Sequence, residues 1–421
     1  MDHVQSLKCL VCGAEYAPDQ IDYVCPKHGD DGIVDVQYRY DRIAASWSKA
    51  KLAEDRNMTM WRYRPLMAIR EDSPLPPLAV GWTPLYRTDR LAALMGLKNL
   101  WVKDDGRQPT ASLKDRASAM AVVKGREKGA EIITTASTGN AAAALTGLCA
   151  SVGQKNVIFV PQTAPAAKVA QLLVFGGTVL LVRGTYDDAF ELCLKASKEF
   201  GWYNRNTAYN PYMTEGKKTV VLEICEQLAW KAPDRIFVSV GDGCIIGGIH
   251  KGLNDLMALG WIDKMPKIMG VQAAGSAAIY QAWKDGTAGI DMKAIDAQTI
   301  ADSISAGMPR DRIKALAAAR ETGGAYIKVS DEEILAQIPV LGQSCGVFAE
   351  PAGAASLAGL KKALDDKLVS PDERIVVLVT GNGLKDIASA RKSVGEPYVV
   401  DANLGAVQKL VGEWKTRGAA R

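Results

Sequence analysis

From Leu100 onward the chain alternates short, unbroken apolar runs with helical stretches, and nothing else in the sequence restricts the fold as strongly. The runs are LWVK at Leu100, IITTA at Ile132, VIFV at Val157, VLLV at Val179, RIFVSV at Arg235, IMGVQ at Ile268 and IVVLVT at Ile375. They are continuous rather than alternating in polarity, which predicts strands buried on both faces in a parallel sheet. Between them apolar residues recur with period 3.6, as in DDAFELCLKASKEF at 187–200 and TVVLEICEQLAW at 219–230. The class is therefore α/β, in which ligands sit beyond the carboxyl ends of strands, at the loops that enter the next helix. Residues 1–40 differ: cysteines sit beside Gly13, Pro26, Gly29 and Gly32 with no helical period, which predicts short β-structure with turns. A linker, SPLPP at 73–77, precedes the α/β region.

At 421 residues the chain has room for two or three domains. Fifty-one basic against 47 acidic residues give a formal charge of +4, which supplies no global field for nucleic acid or an anionic membrane, so any anion site must be local. The opening MDHVQSLKCLVCG lacks the apolar core of a secretory signal, and no apolar run approaches the ~20 residues of a membrane span. With five of the eight cysteines scattered, the expectation is reduced thiols and a cytoplasmic location.

Three strand-end loops carry candidate chemistry. In Thr110-Ala111-Ser112-Leu113-Lys114-Asp115-Arg116, Ser112 or Thr110 can cap a helix over 116–124. The positive end of a helix dipole disfavours an ammonium, so Lys114 suits a lysine that must shed its proton; a solvated surface lysine fits the same pattern. Ala136-Ser137-Thr138-Gly139-Asn140 leads from a strand into the alanine-rich helix 141–150, where free N–H groups suit a carboxylate or phosphate, or simply make a capped connection. Val240-Gly241-Asp242-Gly243-Cys244-Ile245-Ile246-Gly247-Gly248 has neither the dinucleotide nor the P-loop spacing. It fits a phosphate held by backbone N–H groups, with Asp242 turned away or bonded to neighbouring amides. A lysine beside a phosphate loop and a carboxylate-binding helix start describes pyridoxal 5'-phosphate held as a lysine Schiff base next to a small amino-acid substrate. Thr380, in Thr380-Gly381-Asn382-Gly383, could meet the pyridine nitrogen or belong to a plain glycine-rich strand exit.

The chain resembles the threonine synthase family of fold-type II pyridoxal-phosphate enzymes. GWTPLYRTDRL at Gly81, SLKDR at Ser112, ASTGN at Ala136, NPYMTEGKKTVVLEI at Asn210, GDGCIIGG at Gly241, EPAGAAS at Glu350 and TGNGLKD at Thr380 stand in that family's order. The resemblance implies a tryptophan synthase β-like fold with two open α/β domains and a small amino-terminal β or zinc-ribbon-like module. The boundaries expected are 1–45 for the module, 46–110 with 223–421 for the larger cofactor-binding domain, and 111–222 for the smaller one. It also implies that Lys114 carries the cofactor and is the catalytic base, that Asn140 bonds the cofactor's phenolic oxygen, and that Gly241, Asp242, Gly243, Cys244 and Ile245 cradle its phosphate. Thr380 would lie at the pyridine nitrogen and Ser137 and Thr138 at the substrate carboxylate, with Ser112 also expected among the substrate-binding residues. A neutral hydroxyl at that nitrogen makes the ring a weaker electron sink, favouring elimination and replacement at the β or γ carbon over transamination. Only His3, His28 and His250 exist, so Lys114 is the natural base. Homodimerisation is implied by the resemblance alone.

The chain departs from the family where G-S-F-K-D usually stands, having Ala111-Ser112-Leu113-Lys114-Asp115, and has Cys244 where Gly is usual. Thr299-Ile300-Ala301-Asp302-Ser303-Ile304-Ser305 resembles the A-D-G-I region of threonine and serine dehydratases. The expected activity is thus threonine synthase-like: O-phosphohomoserine and water give threonine and phosphate. The rivals are a β-eliminating ammonia-lyase on serine, threonine or a diamino acid, a β-replacement synthase, and a catalytically inactive zinc-ribbon binding or regulatory protein. The spacing does not reveal the groups that would hold a substrate phosphate. Finally, Cys9-x2-Cys12 and, after twelve residues, Cys25-x2-His28 have the spacing of a structural four-ligand zinc site, or of vestigial thiols in a module that packs without metal.

Overall fold

The computed structural model describes residues 1–137, 139–164 and 166–417. The apolar runs form two sheets. The larger is ordered Ala325–Val329, Lys267–Ala273, Arg235–Ser239, Arg374–Val379, Asn99–Asp104, Leu85–Arg87, parallel except for the last, antiparallel edge. The smaller, ordered Thr178–Val182, Lys155–Pro161, Ile132–Ala136, Tyr203–Asn204, is parallel throughout. Val4–Cys9, Glu15–Tyr16 and Val34–Tyr38 make a separate antiparallel sheet, the β-structure expected of the first forty residues. Ile375 through Val379 are fully buried, as continuous apolar runs require. Thr178–Val182 is the exception. It is an edge strand with Leu180 and Leu181 40% and 52% exposed, so its run reflects β-propensity without two-sided cover.

Helices begin and end close to expectation, with physical reasons for the shifts. The lysine-bearing helix is Lys114–Glu127 and starts two residues earlier than the pattern indicated. Neither Thr110 nor Ser112 caps it. Thr110 turns both its N–H and its hydroxyl onto the Asp115 carboxylate, and Ser112 is drawn into a bridge with Gly381. Helix Thr219–Gln227 stops before Trp230 because Ala229 and Trp230 adopt φ of 53° and 62°; the Trp230 ring then packs edge-on to Trp261 at 4.9 Å.

A dry ion cluster joins the two sheets' layers. Arg116 Nε donates to Asp105 Oδ2 (2.7 Å), while Nη1 and Nη2 donate to Glu223 Oε1 (2.5 Å) and Oε2 (2.8 Å); Lys103 Nζ completes Glu223 at 2.8 Å. All four side chains are buried. Close by, helix Tyr212–Lys217 presses on the lysine-bearing helix so tightly that a Cβ on Gly216 would lie 2.2 Å from the Arg116 carbonyl oxygen. The amino-terminal sheet docks through a second buried network. Asp35 meets Lys314 (3.2 Å) and Lys251 (4.0 Å), the Tyr40 hydroxyl donates to Asp255 (2.6 Å), Lys218 bridges Asp255 and Glu215 (2.6 Å each), and Tyr38 donates to Glu215.

Among the described residues no helix is long and apolar enough to cross a membrane. None of the eight cysteines is joined in a disulfide.

Burial would raise the Glu223 pKa, but Arg116 and then Lys103 outweigh it and hold the carboxyl at about 2. A depressed carboxyl pKa adds stability that is fully present above the unfolded value and is lost as pH falls towards about 2. Glu223→Ala should leave Arg116 and Lys103 without their shared counter-ion and cost about 3–5 kcal/mol. Urea unfolding at pH 7 measures this. Between about pH 4.5 and 2 the wild type should lose part of the advantage that the variant lacks.

Candidate active site

The start of helix Lys114–Glu127 is sewn to the exit of strand Arg374–Val379. Leu113 N–H donates to Thr380 O (2.9 Å), Asn382 N–H donates to Ala111 O (3.0 Å), and Ser112 pairs with Gly381. Ala111 occupies φ +67°, a left-handed conformation natural to glycine, so the resembled family's usual Gly has a backbone reason there. These ties carry Lys114 into a narrow pocket lined also by Thr207, Lys217, residues 239–246, Ser303, Ile304 and Thr380. A wider cleft opens from the same lysine past Ser137, Gly139, Asn140, Tyr186, Asp302 and Arg310.

Burial first, and then the nearby Lys217 ammonium, lower the Lys114 pKa to about 8. The direction is the one expected from its helix-start position, but the main cause is lost solvation.

The glycine loop turns at Gly243, φ +92°, where a Cβ would lie 2.7 Å from that of Ala315; a Cβ on Gly241 would lie 2.8 Å from Ile304 Cα. Helix Cys244–Ala258 follows at once. Gly247 N–H donates to Gly243 O (3.0 Å), which leaves the amides of Cys244, Ile245 and Ile246 without an intrahelical acceptor and suited to an anion. Asp242 is bonded to neighbouring amides, as expected: its carboxylate accepts from Arg310 N–H (3.4 Å) and its carbonyl from Asp311 N–H (2.8 Å). Burial raises its pKa and that of Cys244, whose sulfur lies 3.7 Å from the Thr214 hydroxyl.

On the opposite wall Asn140 opens helix Asn140–Ser151. Its Nδ2 donates to Glu350 Oε1 (2.7 Å) and Ser303 Oγ (3.2 Å). Ser137 Oγ accepts from Gly139 N–H (3.2 Å). Thr138 lies outside the described residues. The Thr380 hydroxyl sits 3.4 Å from Ser239 Oγ. Ser112 is brought next to Lys114 but is fully buried, lines neither space, and has a hydroxyl without a partner. Lys114, Asn140, Ser137, Thr380 and residues 241–245 therefore converge, and Ser112 does not join them.

Sequence reading missed Glu350, Thr207, Lys217 and Ser303. Glu350 is buried, its pKa raised by that burial, and it bonds Asn140 from 210 residues away in sequence. The E-P-A-G-A-A-S run was its only signal. A condensing lysine, amides open to a phosphate, a hydroxyl and a carboxamide fit pyridoxal phosphate. Behind Thr207, which lines the space, the buried Arg205 guanidinium donates from Nη1 at 3.3 Å and leaves its Nη2 without a partner.

Remote from Lys114 in sequence, Cys9, Cys12, Cys25 and His28 place four ligand atoms within 4.8 Å of one another. Val11 N–H donates to Cys9 Sγ (3.4 Å), and Gly13 (φ +71°) and Gly29 (φ +52°) make the turns behind the two pairs.

Residues 77–381 match the family described as pyridoxal-phosphate dependent enzyme. Threonine synthases are similar along nearly the whole chain. That of Methanocaldococcus jannaschii is 37% identical over 96% of this chain and 99% of its own, and that of Methanosarcina acetivorans 40% over 96% and 98%. In three dimensions the chain resembles tomato threonine deaminase isoform 2 (TM-score 0.64, 20% identity, 87% of this chain and 89% of the other). It also resembles Escherichia coli diaminopropionate ammonia lyase (TM-score 0.64, 20% identity, 83% and 92%), and both likenesses bear on fold alone. The chain belongs to the fold-type II pyridoxal-phosphate-dependent enzymes, within the threonine synthase family.

Proposed function

We propose that this protein is a threonine synthase, converting O-phosphohomoserine and water to threonine and phosphate, with Lys114 as the residue that carries pyridoxal phosphate. The observation that supports this most directly is that Lys114 lines both the pocket of the glycine loop and the adjoining cleft of the Asn140 helix start. When bound, the cofactor supplies an electron sink for a carbanion at the substrate α carbon.

Each side chain then has a task. Lys114 Nζ, with its lowered pKa, takes and returns protons at the substrate's α and neighbouring carbons. The amides of residues 244–246 would hold the cofactor phosphate, and the neutral Thr380 hydroxyl would be the partner for its ring nitrogen. Ser137 and the amides at the start of helix Asn140–Ser151 orient the substrate carboxylate. Glu350 holds Asn140 in place through its 2.7 Å hydrogen bond. Cys9, Cys12, Cys25 and His28 hold a structural zinc ion, four protein ligands leaving no open position for catalysis.

Three outcomes are expected. Phosphate should be released from O-phosphohomoserine with equimolar threonine, and Lys114→Ala should abolish both this and the cofactor's near-visible absorbance. A 2-oxo acid from serine or threonine as the main product would instead establish the lyase reading favoured by residues 299–305. Uptake of the cofactor by stripped protein requires neutral Lys114, so its rate should climb as pH rises through about 8 and then level off. Purified protein should carry one zinc per chain by elemental analysis, and Cys25→Ser should lose it; zinc below a tenth of stoichiometry in the wild type would dispose of the metal.

A further inference from the structure

Eleven lysine and arginine side chains are buried among the described residues. Nine have a carboxylate within ion-pair distance: Arg62, Lys103, Arg116, Lys124, Lys218, Arg235, Lys251, Arg312 and Lys314. Arg205 and Lys217, each 1% exposed, do not. Both reach the same hydroxyl instead: Arg205 Nη1 donates to Thr207 Oγ1 at 3.3 Å and Lys217 Nζ at 3.4 Å. Arg205 Nε is spent on Ser118 Oγ (3.1 Å), and Nη2 has no partner.

Two unneutralised cations in a dry interior are expensive to keep unless an anion joins them. Lys217 and Thr207 line the same pocket as Lys114 and the glycine loop, so an anion held by the loop amides would lie on their side of it. A carboxylate would neutralise only one of the two. In the space that Lys217 lines, a tetrahedral dianion offers acceptor oxygens for the ammonium and the helix-start amides together, while Arg205, behind Thr207, adds positive potential from outside the lining. Burial also lowers the Arg205 pKa to about 10, and Cys244, Tyr186 and Asp115 offset only part of that.

We propose that Lys217 and Arg205, bridged by Thr207, form a cationic subsite for a phosphate monoester dianion. The phosphate belongs either to the cofactor or to the substrate, whose phosphate-binding groups the sequence does not reveal. This second assignment rests on the function proposed above, whereas the subsite itself does not.

The test compares wild type, Lys217→Met, Lys217→Arg and Thr207→Val. In phosphate-free buffer, inorganic phosphate should raise the Tm of cofactor-stripped wild type and of Lys217→Arg but not of Lys217→Met. Without phosphate, Lys217→Met should melt no lower than wild type, because it removes an unpaired buried charge; a structural lysine would predict a fall. If the cofactor's phosphate is the occupant, its Kd should weaken tenfold or more in Lys217→Met while binding of pyridoxal, which lacks phosphate, stays within twofold. If the substrate's phosphate is the occupant, cofactor Kd should hold while KM for O-phosphohomoserine and Ki for inorganic phosphate rise tenfold or more. Thr207→Val, which keeps both cations, should show the same pattern more weakly and covers the case in which Lys217→Met does not fold. Phosphate shifts, cofactor Kd and phosphate Ki all within twofold of wild type in the folded variants would overturn the subsite. Phosphate stabilisation that depends on Lys217 in a wild type unable to bind cofactor would overturn the proposed function and leave the subsite standing.

Discussion

Two residues beyond the lysine at the centre of the site, a buried guanidinium bridges two carboxylates that come from different parts of the chain. Arg116 holds Asp105, just past strand Asn99–Asp104 of the larger sheet, and Glu223, on a helix more than a hundred residues later. Planar, two-toothed contact of this kind fixes rotation as well as distance. It therefore sets where the helix Lys114–Glu127 begins and how its first turn faces the strand ends. The ties from Leu113 to Thr380 and from Ala111 to Asn382 lock the other side of that turn. A replacement that merely filled the volume could match the stability, but it would not specify the orientation on which the convergence of Lys114, Thr380 and the glycine loop relies.

The class of fold was legible because strand burial writes itself into sequence as unbroken apolar runs, and Ile375 to Val379 obey that rule while Leu180 and Leu181 show its limit at a sheet edge. Lys114, Asn140 and the loop 241–245 were legible because each stands at a strand-to-helix junction, where a local pattern suffices. Glu350, Thr207, Lys217 and Arg205 were not, because their importance lies in who their neighbours are. Nothing in G-K-K-T distinguishes Lys217, which lacks a carboxylate, from Lys218, which has two. The capping expected of Thr110 and Ser112 failed because Asp115, five residues on, claims Thr110, and Gly381, which only the folded chain brings close, claims Ser112.

Around the glycine loop the lesson is similar. Asp242 would repel a phosphate if it faced one, and the segment that restrains it is the turn at Arg310 and Asp311, leading into helix Arg312–Glu321. That helix is gripped in turn by the amino-terminal module, through Arg312 to Asp31 (2.7 Å) in the turn before strand Val34–Tyr38 and Lys314 to Asp35 (3.2 Å) in that strand. Lys314 also donates to Thr214 (3.0 Å), beside Cys244.

The first forty residues are thus counterweight as well as covering. Their Asp35 balances lysines that lie in the body of the enzyme, and Tyr38 and Tyr40 occupy the carboxylates of Glu215 and Asp255. Such an arrangement cannot be lost piecemeal. A lineage that sheds the module uncovers Lys314 and Lys251 to water and takes Asp35 from both, leaving them Asp311 (3.9 Å) and Asp255 (3.3 Å) beside them in the chain, so the module's presence should travel with the charge balance around those two lysines rather than with any residue of the catalytic loops.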